Sequence, residues 1–109
     1  MIHIPIFLRE IKKFFFPSSC ILGNFTIVDC TAGEGGHTFS FLDFSSKVRV
    51  IALEIDSEQV VEIQKRRRKL NISQERLKVF NLSYSQIEEV VSFTGWTVEA
   101  ILFDLGISS

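Results

Sequence analysis

The chain has 109 residues, 46% of them apolar and 23% charged, which fits one globular domain at most and argues against an intrinsically disordered chain. Twelve basic against thirteen acidic residues give a net charge of −1, which excludes a uniformly basic nucleic-acid clamp but not a local basic patch. No apolar run reaches the roughly 20 residues of a membrane helix. Phe14-Phe15-Phe16-Pro17-Ser18-Ser19-Cys20 has some look of a lipoprotein signal, but Arg9, Glu10, Lys12 and Lys13 interrupt the apolar stretch before it. Cys20 and Cys30 form no C-x-x-C and no metal-ligand spacing; they read as reduced thiols of a cytoplasmic protein, with no metal site.

In chain order, Phe7, Leu8, Ile11, Phe14 and Phe15 mark one face of a helix over residues 5–16, opened by Pro5 and stopped by Pro17. Residues 25–30 form a β-branched run, the first strand, followed by a turn with Gly33, Gly35 and Gly36. A short helix over 37–44 and a second strand over 48–53 come next. Asp56 and Gln59 have capping-box spacing and open a helix to about Leu70. A third strand covers 77–80. Ser85 and Glu88 form a second capping-box pattern, and Gly95 ends the helix that it opens. The fourth strand covers 98–103. Strands alternating with helices predict an α/β fold with a parallel sheet, and near-continuous apolar strands predict cover on both faces.

In a doubly wound sheet the order switches beside strand one, so strand four is expected on the far side of strand one from strands two and three. That leaves strand four an open apolar edge. The expected consequence is cover by a second polypeptide, self-association, or a chain that is the first part of a longer protein.

Ligands in such sheets bind outside the carboxyl ends of the strands. The residues expected there are the turn Asp29–His37, Glu54-Ile55-Asp56, Tyr84 and Asp104. The glycines let backbone approach a ligand, and the helix start behind them presents free N–H groups to an anion. Glu54, 21 positions after Gly33, suits an acceptor for ribose hydroxyls, and Tyr84 offers a ring to an adenine. Two cofactor classes fit that outline. A dinucleotide turn wants G-x-G-x-x-G, but Thr38 stands at the third glycine position and Gly36 is out of register. S-adenosylmethionine (SAM), with a single carboxylate to anchor, fits better.

His3-Ile-Pro5-Ile-Phe-Leu-Arg-Glu10, Val28-Asp-Cys-Thr-Ala-Gly-Glu-Gly-Gly-His-Thr38 and Ile101-Leu-Phe-Asp-Leu-Gly-Ile-Ser-Ser109 together resemble the ribosomal RNA small subunit methyltransferase H family, also called the MraW family. The resemblance covers the whole chain and the first part of the family, whose members continue past the Ser-Ser with a Pro-Gln-containing segment, more strands and an inserted helical domain. It implies a Rossmann-like SAM-dependent methyltransferase fold with a truncated parallel sheet of about four strands and an N-terminal helix, residues 1–109 being a single, incomplete SAM-binding domain. It also implies methyl transfer from SAM to the N4 amine of a cytosine in 16S rRNA, with the rRNA or the small ribosomal subunit as partner. By motif position, Gly35, Gly36 and His37 would contact SAM from the turn. Glu54 would hold the ribose, where the family usually has Asp. Tyr84 would lie beside the adenine, where the family usually has Phe, and Asp104 near the methionine end. Asp104 is also the one candidate for a catalytic proton acceptor, although Asp104-Leu-Gly-Ile107 lacks the prolines and aromatic that many amino-methyltransferases carry there. Two other readings stay open: an inactive truncated remnant, and a small NAD-type nucleotide-binding module.

Several features also have plain structural readings. Lys65-Arg-Arg-Arg-Lys69 fits a solvated helix end complementing the macrodipole as well as an RNA contact. Asp29 serves to tie down the glycine turn, and Cys30 is a packed thiol with no adjacent base to activate it.

Overall fold

The computed structural model describes residues 23–30, 32–33 and 36–103. The helix expected over 5–16, and the site candidates Gly35 and Asp104, lie outside the described residues. Four strands and three helices alternate as the sequence predicts: β1 (Phe25–Asp29), α1 (Gly36–Phe44), β2 (Val48–Leu53), α2 (Ser57–Lys69), β3 (Leu77–Phe80), a single 3₁₀ turn (Tyr84–Gln86), α3 (Ile87–Thr94) and β4 (Ala100–Leu102). All pairings are parallel, in the order β3-β2-β1-β4. β4 therefore sits beyond β1, where the switch in winding was expected.

Alternation along the strands explains both faces. Ile27, Val48, Val50, Ala52, Leu77, Ala100 and Leu102 point to one face and pack with Phe39, Phe41 and Leu42 of α1 and Ile63 of α2. Val28, Ile51, Leu53 and Ile101 point to the other and pack with Val90 of α3. Right-handed crossovers dictate this split: the chain winds outward from β1 to β3 over one face, then returns to β4 over the other. Each fully buried Val, Leu or Ile contributes about 1.5–3 kcal/mol relative to exposure.

The helix ends differ from expectation in detail. Asp56 caps α2, but its carboxylate accepts from the N–H of Glu58 at 2.9 Å, and Gln59 Oε1 is buried without a hydrogen-bond partner instead of closing a capping box. Before α3 the capping side chain is Ser83, not Ser85: its hydroxyl accepts from the Ser85 N–H and opens the 3₁₀ turn, while Gln86 at the start of α3 makes no side-chain cap. Gly95 ends α3 in the left-handed region at φ 71°, as its position predicted. β4 is shorter than the predicted 98–103: at Glu99 the backbone N–H still donates to the Thr26 carbonyl, but the return bond from the Thr26 N–H goes to the Glu99 carboxylate and not to a strand carbonyl. Among the described residues no helix is long and apolar enough to cross a membrane.

Candidate functional site

The carboxyl ends of the strands converge on Glu54, the first residue past β2. One carboxylate oxygen accepts the Gly33 N–H at 2.7 Å and the other accepts the Asp56 N–H at 3.0 Å. Its backbone N–H donates to the Phe80 carbonyl, and its own carbonyl accepts from the Asn81 side-chain amide at 2.9 Å. One residue thus fastens the turns that follow β1, β2 and β3. Gly33 adopts φ 50°, a left-handed conformation that a residue with a Cβ takes at a cost.

A second fastening lies behind the turn. Asp29, the last residue of β1, is fully buried, and its carboxylate accepts from the Thr38 hydroxyl at 2.7 Å, tying the first turn of α1 to the end of β1. Asp29 therefore steadies the α1 side of the glycine turn through the Thr38 hydroxyl. Cys30 donates its N–H to the Leu102 carbonyl, which keeps the end of β4 beside the turn.

Between these turns is a cleft of about 370 Å³ lined by Cys30, Gly33, Glu54, Ile55, Leu82, Ser83 and Tyr84. Its size falls in the range of small-molecule sites, roughly 300–1,000 Å³. Tyr84 is 59% exposed, and its ring meets Phe103 edge-on, with centroids 5.5 Å apart. Burial, and then the neighbouring Asp29 carboxylate, push the Cys30 thiol up to about 12, so it is a neutral wall of the cleft and not a nucleophile.

Of the residues selected from sequence, Gly33 of the turn, Glu54 and Tyr84 come together on this cleft. Gly36 and His37 open α1 close by in the chain, exposed and half-buried respectively, but neither is among the lining residues. Cys30 and Ile55 were expected at the strand ends but given no cofactor role, and Leu82, Ser83 and the supporting ring of Phe103 were not selected. A usable signal existed for Leu82, Ser83 and Phe103, which stand just past or at the end of predicted strands. The basic run ends at the far side of the sheet, because α2 starts beside Glu54 and runs back toward the start of β3. There Arg66 lies over the Phe39 ring, Arg67 bonds Gln64 and the Ile72 carbonyl, and Lys65 pairs with Glu62. No group of side chains suited to a metal ion occurs among the described residues.

The sequence profile of the MraW methylase family matches residues 1–109. The chain belongs to the MraW methylase family. A relative from Pseudothermotoga lettingae, named ribosomal RNA small subunit methyltransferase H, is 32% identical over 110 positions, covering 100% of this chain and 36% of its own length. The chain spans about a third of the length of the curated relatives it matches. Among solved structures, a protein from Clostridium thermocellum assigned as an rRNA-methylase aligns with TM-score 0.66 at 20% identity, over 86% of this chain and 48% of its own. A coclaurine N-methyltransferase bound to N-methylheliamine and SAH aligns with TM-score 0.55 at 17% identity, over 72% of this chain and 23% of its own. The fold of this MraW family member is therefore the Rossmann-like fold of SAM-dependent methyltransferases, as the sequence predicted.

Proposed function

We propose that this MraW family chain forms, over residues 1–109, a domain that binds SAM for methylation of the N4 amine of a cytosine in 16S rRNA, in the cytoplasm. The observation that carries the reading is the cleft itself: a carboxylate fixed by two backbone N–H groups on one side and a tyrosine ring on the other. A carboxylate has about four lone-pair positions, and two are occupied here, which leaves acceptors for a vicinal ribose diol. The ring of Tyr84 supplies a flat apolar face for the adenine, and Ile55, Leu82 and the neutral Cys30 thiol supply the rest of an apolar wall. Gly35, Gly36, His37 and the start of α1 would receive the methionine end, whose carboxylate suits free helical N–H groups. Asp104 would complete the site from the end of β4.

SAM, when bound, supplies an electrophilic methyl on sulfur. The protein's part is positioning. The amine lone pair of cytosine is delocalised into the ring, so attack requires in-line approach and an acceptor for the departing proton, and the base must be unpaired to reach the site. Asp104 is the candidate acceptor. The family membership and the names of the relatives support rRNA as the substrate.

Calorimetric titration with SAM and with NAD tests the reading. SAM is expected to bind and NAD not to; binding of NAD without SAM would replace the methyltransferase reading with a dinucleotide module.

A further inference from the structure

Resting on the reading of the cleft as an adenosine-cofactor site, we infer that Glu54 is also a positioning residue: it holds the glycine turn in shape, and so couples the ribose subsite to the turn that receives the other end of the cofactor. Among the described residues the turn between β1 and α1 is held by backbone bonds from the Cys30 N–H to the Leu102 carbonyl and from the Ala32 N–H to the Leu53 carbonyl, and by two bonds to side chains that act as posts. One post is the buried Thr38 hydroxyl on Asp29, on the α1 side. The other is the Gly33 N–H on Glu54, on the β1 side. Gly33, with its left-handed φ, is the pivot of that side. The same carboxylate takes the Asp56 N–H, so its two oxygens are pinned in direction by donors from different turns. A hydroxyl pair meeting that carboxylate finds it already oriented, and any movement of the carboxylate moves the Gly33 side of the turn with it.

A residue that only met the ribose would affect all adenosine-containing ligands alike. A residue that also shapes the turn affects a ligand reaching the turn more than one that stops at the ribose. Adenosine and SAM differ in that respect. Replacement of Glu54 by Ala removes a charge-assisted acceptor, which corresponds to about a tenfold loss for adenosine. For SAM the expected loss is about a hundredfold, because the turn loses one of its posts as well.

The experiment measures adenosine and SAM binding by calorimetry, and amide hydrogen exchange in the ligand-free chain, for the wild type, Glu54→Ala and Glu54→Asp. The expected result is unequal loss for the two ligands in Glu54→Ala, with faster exchange at Gly33. Glu54→Asp, one methylene shorter, is expected to recover most of the adenosine affinity while Gly33 still exchanges quickly. Equal losses for adenosine and SAM, or Gly33 exchange that stays slow in Glu54→Ala, would overturn the inference and leave Glu54 a ribose contact alone. A wild-type chain that binds neither ligand, with Gly33 exchange accelerated in Glu54→Ala, would overturn the cofactor reading and leave the turn-holding role standing.

Discussion

Both ends of the sheet carry charged side chains close to backbone, but they use them differently. At the amino end the charges of Arg76 and Arg49 are saturated. Arg76 directs its guanidinium to the carbonyls of Leu42, Ser45 and Val48 at 2.7–3.2 Å, closing the turn between α1 and β2. Arg49 bonds the Thr26 hydroxyl and lies 4.3 Å from the centroid of the Trp96 ring, which Lys78 also approaches. At the carboxyl end, Glu54 is equally well oriented by backbone but keeps acceptor capacity and faces a cleft. Charge alone therefore does not mark the site in this fold. The mark is a charge whose direction is fixed while part of its bonding capacity stays open.

If that contrast is right, substitutions at the two ends should show in different measurements. Arg76→Leu is expected to have the largest effect, a loss of about 2–4 kcal/mol in folding free energy in urea titration, because three carbonyls lose a charged donor at once. The SAM affinity of the molecules that remain folded should be unaffected. A loss below about 1 kcal/mol would mean that water replaces the guanidinium easily and that the amino end is not saturated in any useful sense. Tyr84→Ala should behave in the opposite way. Tyr84 is mostly exposed and its ring meets Phe103 edge-on, so stability should change little. SAM affinity should fall about tenfold, the usual range for removing an aromatic partner of a base, and Tyr84→Phe should retain most of it. Equal SAM affinity in Tyr84→Ala would move the adenine away from this wall of the cleft.

What was legible in the sequence divides along the same line. β2 and β3 were readable to the residue, because each is a short, largely apolar run bounded by charged or polar residues, Lys47 and Glu54 for β2 and Arg76 and Asn81 for β3. The switch in strand order followed from winding rules. Glu54 and Tyr84 were readable because they stand at strand ends, where a parallel sheet exposes its ligand side. The partner of Glu54 was not readable, since the bond to Gly33 depends on how the glycine turn passes the end of β2, 21 residues away. Arg76 gave no local sign at all: its acceptors lie 28 to 34 residues earlier in the chain. The capping patterns misled for a related reason. Ser85 and Gln59 have suitable spacing, but the chain turns two residues sooner at Ser83, and the side-chain oxygen of the half-buried Gln59 is drawn inward, away from the cap.

The smallest expected effect concerns the basic run, and it tests whether the amino end takes part in RNA binding. Of its five cations, Lys65, Arg66 and Arg67 already face Glu62, the Phe39 ring, and Gln64 with the Ile72 carbonyl. Arg68 and Lys69 stand in the last turn of α2, where cations favour the negative end of the helix dipole. Replacing both by Ala should cost about 0.3–1 kcal/mol each at low salt, less as salt rises. If these side chains serve only the helix, the salt dependence of binding to 16S rRNA should be the same with and without them. If they meet phosphates, each contact removed should lower the slope of log K against log salt by roughly one unit. A drop of that size would make the amino end a second RNA-facing surface, and the contrast between the two ends would then be one of ligand and not of saturation.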